Sequence, residues 1–340
     1  MSKTVALLDT SIDSYNMGDT IIASMVDRLL PELASLPRLP THRMLTRHEL
    51  RIARDADVLI LTGTNILSST LRLYGRDPIA RAYAKASRHY RHWPIGRAEF
   101  DAFSGKVVFF GVGWAGYDDA VSSGAAHLIS GVRHPRMALA VRDRYTCGKL
   151  TGVGIPAVNT YCPTMWRLPE RLAEVSLHGR VVFTVTDYAM DPVRDQRLLD
   201  QLGRLYDEIL LWPQGARDLR YLRSLAPPRK ATIISSGLPS LRSALDEDGT
   251  EYVGTRLHSG IFAADNGNPT VVIAVDHRAT EIGRDSGFPV IQRSLASDDL
   301  VAAIRSLPPV GVVPNAPVQI EWLQRLADVT EIPLARGFSA

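Results

Sequence analysis

Cysteine is scarce: Cys147 and Cys162 are the only two among 340 residues. Two cysteines cannot build a disulfide framework, and they suit a reducing compartment. Neither belongs to a Cys/His cluster with zinc spacing, so no metal site is expected. Long apolar runs are missing too. The first, Val5–Leu8, is broken at once by Asp9, too short for a signal peptide or a membrane span. The expectation is a cytoplasmic protein without a transmembrane segment. Neither charge sign dominates, with 39 Lys and Arg against 36 Asp and Glu and a net charge of +3. Nucleic-acid binding would need a clustered basic face, which this balance does not provide. The small excess of base is compatible with an anionic small substrate. No repeat of solenoid period and no low-complexity tract is present.

What the chain does contain is an alternation of buried strands and helical segments. Val5–Leu8, Asp57–Leu61, Lys106–Phe110, Ala138–Val141, Val181–Val185, Glu208–Leu211 and Thr270–Ala274 read as strands. Near-continuous apolar strands between helical stretches argue for α/β architecture with mostly parallel sheets. The length allows two domains with separate cores. The expected arrangement is two doubly wound, Rossmann-like domains facing a cleft. The first spans 1–165 and the second 181–308, with a polar, turn-prone linker at 166–180. A C-terminal segment, 309–340, is expected to pack back on the first domain.

The most informative stretch is Val253-Gly254-Thr255-Arg256-Leu257-His258-Ser259-Gly260, followed by a small-residue helix, Gly267-Asn268-Pro269 and a buried strand. A strand running into a helix brings polar residues to the edge of the sheet where open α/β folds bind ligands. In extended backbone Arg256 and His258 share one face and Leu257 points the other way. Arginine offers a planar fork to phosphate or carboxylate, and histidine donates a proton near neutral pH. A structural ion pair for Arg256 and a half-buried packing role for His258 are the alternatives.

Elsewhere, Asn16-Met17-Gly18-Asp19 follows the first strand. Gly18 permits a tight turn, and Asp19 or Thr20 is placed to cap a helix starting at Thr20. Gly111-Val112-Gly113-Trp114-Ala115-Gly116 matches a dinucleotide-binding fingerprint literally, but it follows a later strand and opens no clean helix. Arg142-Asp143 closes a buried strand and reads equally as a structural pair. Gln214 follows the strand at 208–211. The stretch from Leu67 to Trp93, rich in arginine and tyrosine, reads as a solvated helical face or a wall over an acceptor sugar or its anionic carrier.

These blocks together resemble the polysaccharide pyruvyl transferase family. Gly-Thr-Arg-Leu-His, Gly-Asn-Pro and Asp276-His277-Arg278 resemble its C-terminal signature, Asn-x-Gly-Asp its N-terminal one, and Val-Arg-Asp and Pro-Gln blocks of its middle. The resemblance implies a glycosyltransferase-B-like fold and transfer of an enolpyruvyl unit from phosphoenolpyruvate to a sugar, giving a pyruvate ketal and phosphate. It implies no cofactor, a small-molecule donor and a carbohydrate acceptor. It assigns Arg256 and Arg142 to the donor and His258 to the general acid or phosphate ligand. Asp19 becomes the residue that orients or deprotonates the acceptor, with Asn16 and Gly18 beside it. Gly63, Gly113 and Gln214 become further substrate-binding positions. The family's usual glycine run is reduced here to Gly63 between Thr62 and Thr64, and Cys162 stands where many relatives carry Asp. A nucleotide-sugar glycosyltransferase and a non-catalytic carbohydrate-binding protein are the competing readings.

Overall fold

The computed structural model describes residues 3–74, 93–117, 120–308 and 316–334. Most of the arginine- and tyrosine-rich stretch, and most of the proline-rich segment at 308–317, lie outside them.

The chain forms two compact units. The first comprises Met1–Ser14, Ile22–Pro163 and Asn315–Ala340; the second comprises Tyr15–Ile21 and Thr164–Pro314. The loop and helix start at Tyr15–Ile21 therefore belong with the second unit, which the sequence alone did not suggest.

In the first unit the main strands are β1 (Val5–Asp9), β2 (Arg38–Pro40), β3 (Val58–Leu67), β6 (Val107–Trp114), β7 (Leu139–Val141) and β8 (Ala157–Asn159). β4 (Leu73–Tyr74) and β5 (Ile95–Gly96) form a separate two-stranded pair. The main sheet is parallel, in the order β2-β1-β3-β6-β7-β8. β1, β3 and β6 are buried along their whole length, as expected for strands covered on both faces. The helix Ala316–Thr330 belongs to this unit. Its Trp322 stacks on Phe110 at 4.7 Å, and Gln319 donates a hydrogen bond to the Thr160 carbonyl at 3.2 Å.

The second unit repeats the design with β9 (Arg180–Thr184), β10 (Glu208–Leu211), β11 (Ala231–Ile233), β12 (Thr250–Gly254), β13 (Thr270–Ala274) and β14 (Val290–Gln292). All pairings are parallel and the order is β11-β10-β9-β12-β13-β14. From β9 the chain winds outward through β10 and β11, then returns to the opposite side of β9 at β12. The crevice beyond the carboxyl ends of β9 and β12 is therefore a topological switch point, where open α/β sheets place ligands.

Each unit has its own apolar core. One gathers Leu8, Leu59, Phe109, Leu128 and Val141; the other gathers Val181, Phe183, Leu202, Leu211 and Ile273. In the second unit a buried carboxylate anchors the irregular segment that precedes β9. Glu251 accepts from the Ser176 and Leu177 amides at 2.6 and 3.2 Å, and from the Ser176 and Tyr206 hydroxyls. Four donors meet the acceptor capacity of a buried carboxylate and spare it a large desolvation cost.

The helix Leu257–Asp265 lies unusually close to the sheet. A Cβ on Gly260 would sit 2.4 Å from Val272 Cγ2 and 3.1 Å from the Tyr252 ring. Alanine in a helix ordinarily gains about 1 kcal/mol over glycine. Here the clash with a stiff, β-branched side chain costs about 1–3 kcal/mol and reverses the sign. Gly260→Ala should lower the thermal midpoint by a few degrees in circular-dichroism melts; a rise would contradict this packing.

Candidate active site

A pocket in the second unit opens at the switch point. Its lining includes Asn16, Gly18, Tyr188, Gln214, Thr255–His258, Asp276 and Arg278. Three helices start there: Met17–Leu29, Leu257–Asp265 and His277–Ser286. Helix starts carry unpaired N–H groups and a partial positive charge. Two of these starts use a side chain on an early amide. Asn16 accepts from Gly18 N at 3.1 Å, and Asp276 accepts from Arg278 N at 3.0 Å. The third start, led by Arg256, has no side-chain cap.

β12 ends at Gly254, and Arg256 is already the N-cap, with Leu257 and His258 inside the helix. The extended alternation expected from the sequence is therefore absent. A turn into helix brings Arg256 and His258 to one pocket instead. The turn is fixed by hydroxyls. Arg256 N donates to Thr184 Oγ1 at 3.2 Å, and the Tyr252 hydroxyl donates to the Arg256 carbonyl at 2.8 Å. Thr186 and Thr255 pair through their hydroxyls at 2.8 Å. A Cβ on Gly254 would fall 2.2 Å from Thr184 Oγ1, so glycine is required there.

The Arg256 side chain is 10% exposed and heavily engaged. Nε donates to the Val185 carbonyl at 3.0 Å; Nη2 donates to Asp187 at 2.8 Å and to Asp218. Burial opposes its charge, yet Asp218, Tyr188 and Asp187 together raise its pKa. Burial pushes the Asp218 carboxyl above its ordinary value, and Arg256 offsets this only in part. Nη1 of Arg256 has no partner among the described residues.

Arg278 lies beside it. Its Nε donates to Asp276 at 2.9 Å, and Nη2 donates to Asp276 and to the Tyr188 hydroxyl. Burial works against the Arg278 charge, but Tyr188, Asp276 and more weakly Asp19 raise its pKa. Burial would raise the Asp276 carboxyl; Arg278 prevails and holds it down at about 2. The Tyr188 ring is within cation–π distance of both guanidiniums, 5.3 Å from Arg256 and 5.1 Å from Arg278.

Of the residues singled out in the sequence, Asn16, Gly18, Gln214, Arg256 and His258 line this one pocket. Gln214 Nε2 donates to Asn16 Oδ1 at 2.6 Å, and Gln214 Oε1 accepts from Ser259 at 3.3 Å. Asp19 is buried in the first turn of Met17–Leu29 and is not part of the lining. It does not cap the helix, which begins three residues earlier than the sequence suggested.

The remaining candidates sit inside the first unit. Arg142 is 1% exposed; its Nη2 donates to Asn65, and its Nε donates to Asp143 at 3.4 Å. Gly113 makes room for it, since a Cβ there would lie 2.4 Å from Arg142 Nε. Gly63 has φ of +52°, and its Cβ would lie 2.3 Å from Ile22 Cγ2. Packing accounts for Gly113, and packing together with a left-handed backbone accounts for Gly63. Gly111 and Gly113 lie within β6 rather than in a turn opening a helix, so the dinucleotide fingerprint has no structural counterpart.

Asp187, Tyr188, Asp218 and Arg278 were not proposed as site residues from the sequence. Asp218 stands four residues past Gln214, and Arg278 ends the Asp-His-Arg block, so both carried a signal. Tyr188 carried none, being one tyrosine in a short turn. Asn268 of Gly-Asn-Pro is structural: its amide donates to the Leu245 and Thr250 carbonyls, both at 2.9 Å. Among the described residues, no group of three or more His, Cys, Asp or Glu could hold a metal ion, and no helix is long and apolar enough to cross a membrane.

Asp276, depressed from 3.8 to about 2, adds stability that is present above pH 3.8 and lost as pH falls toward 2. Asp276→Asn keeps a capping side chain and removes the charge. It should melt below the parent at pH 7, by on the order of 2 kcal/mol, and that gap should close between pH 4 and pH 2.

Comparison with known proteins agrees with this architecture. No curated protein matches the chain at a significant level. The structure of S. aureus MnaA with UDP is similar at a TM-score of 0.52 and 9% identity, covering 98% of each chain. That identity speaks for the fold alone, which is glycosyltransferase-B-like in class. The family model for polysaccharide pyruvyl transferase matches residues 16–277. A match over most of the chain, running from Asn16 to the helix that carries Arg278, shows that this protein belongs to the polysaccharide pyruvyl transferase family of enzymes.

Proposed function

We propose that the protein transfers an enolpyruvyl unit from phosphoenolpyruvate to a sugar of a polysaccharide or glycoconjugate, forming a pyruvate ketal and releasing phosphate. One observation carries this reading: Arg256, His258 and the uncapped start of Leu257–Asp265 open on one pocket at the switch point of the second sheet. Guanidinium and helix N–H groups suit phosphate and carboxylate, the two anionic parts of the donor.

The chemistry proceeds by protonation of the donor's methylene carbon while positive charge develops on the adjacent carbon. A sugar hydroxyl adds there. A second hydroxyl then displaces phosphate and closes the ketal ring. One hydroxyl proton is accounted for in the new methyl group, and the other leaves with phosphate. His258 is the candidate acid for the first step or the ligand of the departing phosphate. Arg256 holds the donor. The family resemblance assigns the acceptor hydroxyl to Asp19, which is buried next to the lining residue Gly18 and bears on the pocket through its charge on Arg278; Asn16, Gly18 and Gln214 shape the acceptor side. Arg142, proposed from the family resemblance as a second donor arginine, would first have to leave Asn65 and Asp143. Gly63 and Gly113 act through packing in this reading.

Phosphate release from phosphoenolpyruvate, measured with a panel of pyranoside acceptors, tests the proposal. His258→Ala should lower turnover by about 10²–10⁴-fold if it is the acid. Arg256→Lys retains a cation for Asp187 and Asp218 but loses the fork, and should weaken donor use by about tenfold or more. Near-parental turnover in both folded variants would refute the assignment. Stabilisation by a nucleotide sugar but not by phosphoenolpyruvate in thermal-shift assays would favour a glycosyltransferase instead.

A further inference from the structure

Two guanidiniums share one aromatic ring in the pocket, and only one belongs to the Arg-x-His block. Arg256 and Arg278 lie 5.3 and 5.1 Å from the centroid of Tyr188, so they cannot be farther apart than those two distances combined. Repulsion between two cations on one ring is offset here by carboxylates. Asp187 and Asp218 hold Arg256; Asp276 and the Tyr188 hydroxyl hold Arg278. These bonds use Nε and Nη2 of both side chains. Nη1 of each has no partner among the described residues. Both arginines line the pocket, as does Tyr188, whose residue surface is 55% exposed.

We propose that Arg278 supplies the second cation of the donor site, and that Tyr188 is the positioning residue that sets it beside Arg256. The pair then selects a ligand with two separate anionic groups, a phosphate and a carboxylate, over a ligand with one. This inference rests on the transferase reading for the identity of the donor, while the two-cation geometry stands apart from it. It also locates the second guanidinium in the same unit as Arg256, where Arg142 is occupied by Asn65 and Asp143.

Tyr188 contributes two separable features. Its ring attracts both cations through the face of the π system. Its hydroxyl accepts from Arg278 and donates to Asp276 at 3.1 Å. Removing the hydroxyl leaves Asp276 to hold Arg278. Removing the ring takes away the surface common to both.

The test is calorimetric titration of the full chain with phosphoenolpyruvate and, separately, with inorganic phosphate. The readout is the ratio of the two affinities, which a general loss of structure does not shift selectively. Arg278→Ala should weaken phosphoenolpyruvate binding about tenfold, the loss of one charge-assisted contact. It should affect inorganic phosphate less, so the preference falls. Tyr188→Leu should lower the preference in the same way, and Tyr188→Phe should keep most of it. Arg278→Lys provides a second variant should the alanine form fail to fold. A parental ratio in the folded Arg278 variants overturns the proposal and leaves the transferase reading standing. Preference lost in Arg278→Ala, with no phosphate release by the parent enzyme on any sugar, supports the two-cation site and removes the transferase reading. A parent that binds neither anion overturns the proposal.

Discussion

The close seating of Leu257–Asp265 on the second sheet is the constraint from which the site follows. Gly254 and Gly260 allow backbone and helix to approach where any side chain would collide. That approach lets the Tyr252 hydroxyl reach the Arg256 carbonyl, and Thr184 reach the Arg256 amide. With its backbone so fixed, Arg256 sends its side chain into the crevice between β9 and β12, and burial there demands carboxylates. Asp187 and Asp218 answer that demand. Buried ion pairs add little net stability, because desolvation consumes most of the attraction. What they provide here is a guanidinium with a defined orientation and one donor edge left over.

Both sheets have a switch point, but they are used differently. In the first unit, the ends of β1 and β3 are closed by local bonds: Thr10 donates to the Thr62 carbonyl at 3.3 Å, and Asp9 binds Ser11 and Arg38. Arg142 is sealed beneath Gly113 and paired internally. In the second unit the corresponding edge is lined by arginine, histidine, tyrosine and helix starts. Two six-stranded parallel sheets of different strand order thus yield one edge stitched by its own side chains and one lined by hydrogen-bond donors.

The strands were legible in the sequence because covered parallel strands are almost continuously apolar. The Arg-x-His block was legible because a strand-to-helix transition brings its residues to a ligand edge. Backbone detail was not. The sequence suggested a helix from Thr20, but it starts at Met17 because Asn16 takes the Gly18 amide, a local choice among several polar residues. β3 was expected to give way to a turn after Leu61. It continues to Leu67 through two left-handed residues, Gly63 and Thr64, a conformation that no periodicity announces. Tyr188 became visible only when three separate elements met around its ring. Arg142 illustrates the opposite limit: a charged residue closing a strand looks the same in sequence whether it faces a ligand or its own neighbours.

Asn268 binds two carbonyls that lie on the approach to β12, and no pocket residue is among its partners. That amide ties the end of the helix Leu238–Leu245 and the start of β12 to the Gly-Asn-Pro turn. The asparagine of the Gly-Asn-Pro block thus serves the scaffold. The donors that face the pocket gather instead around the tyrosine shared by the two arginines.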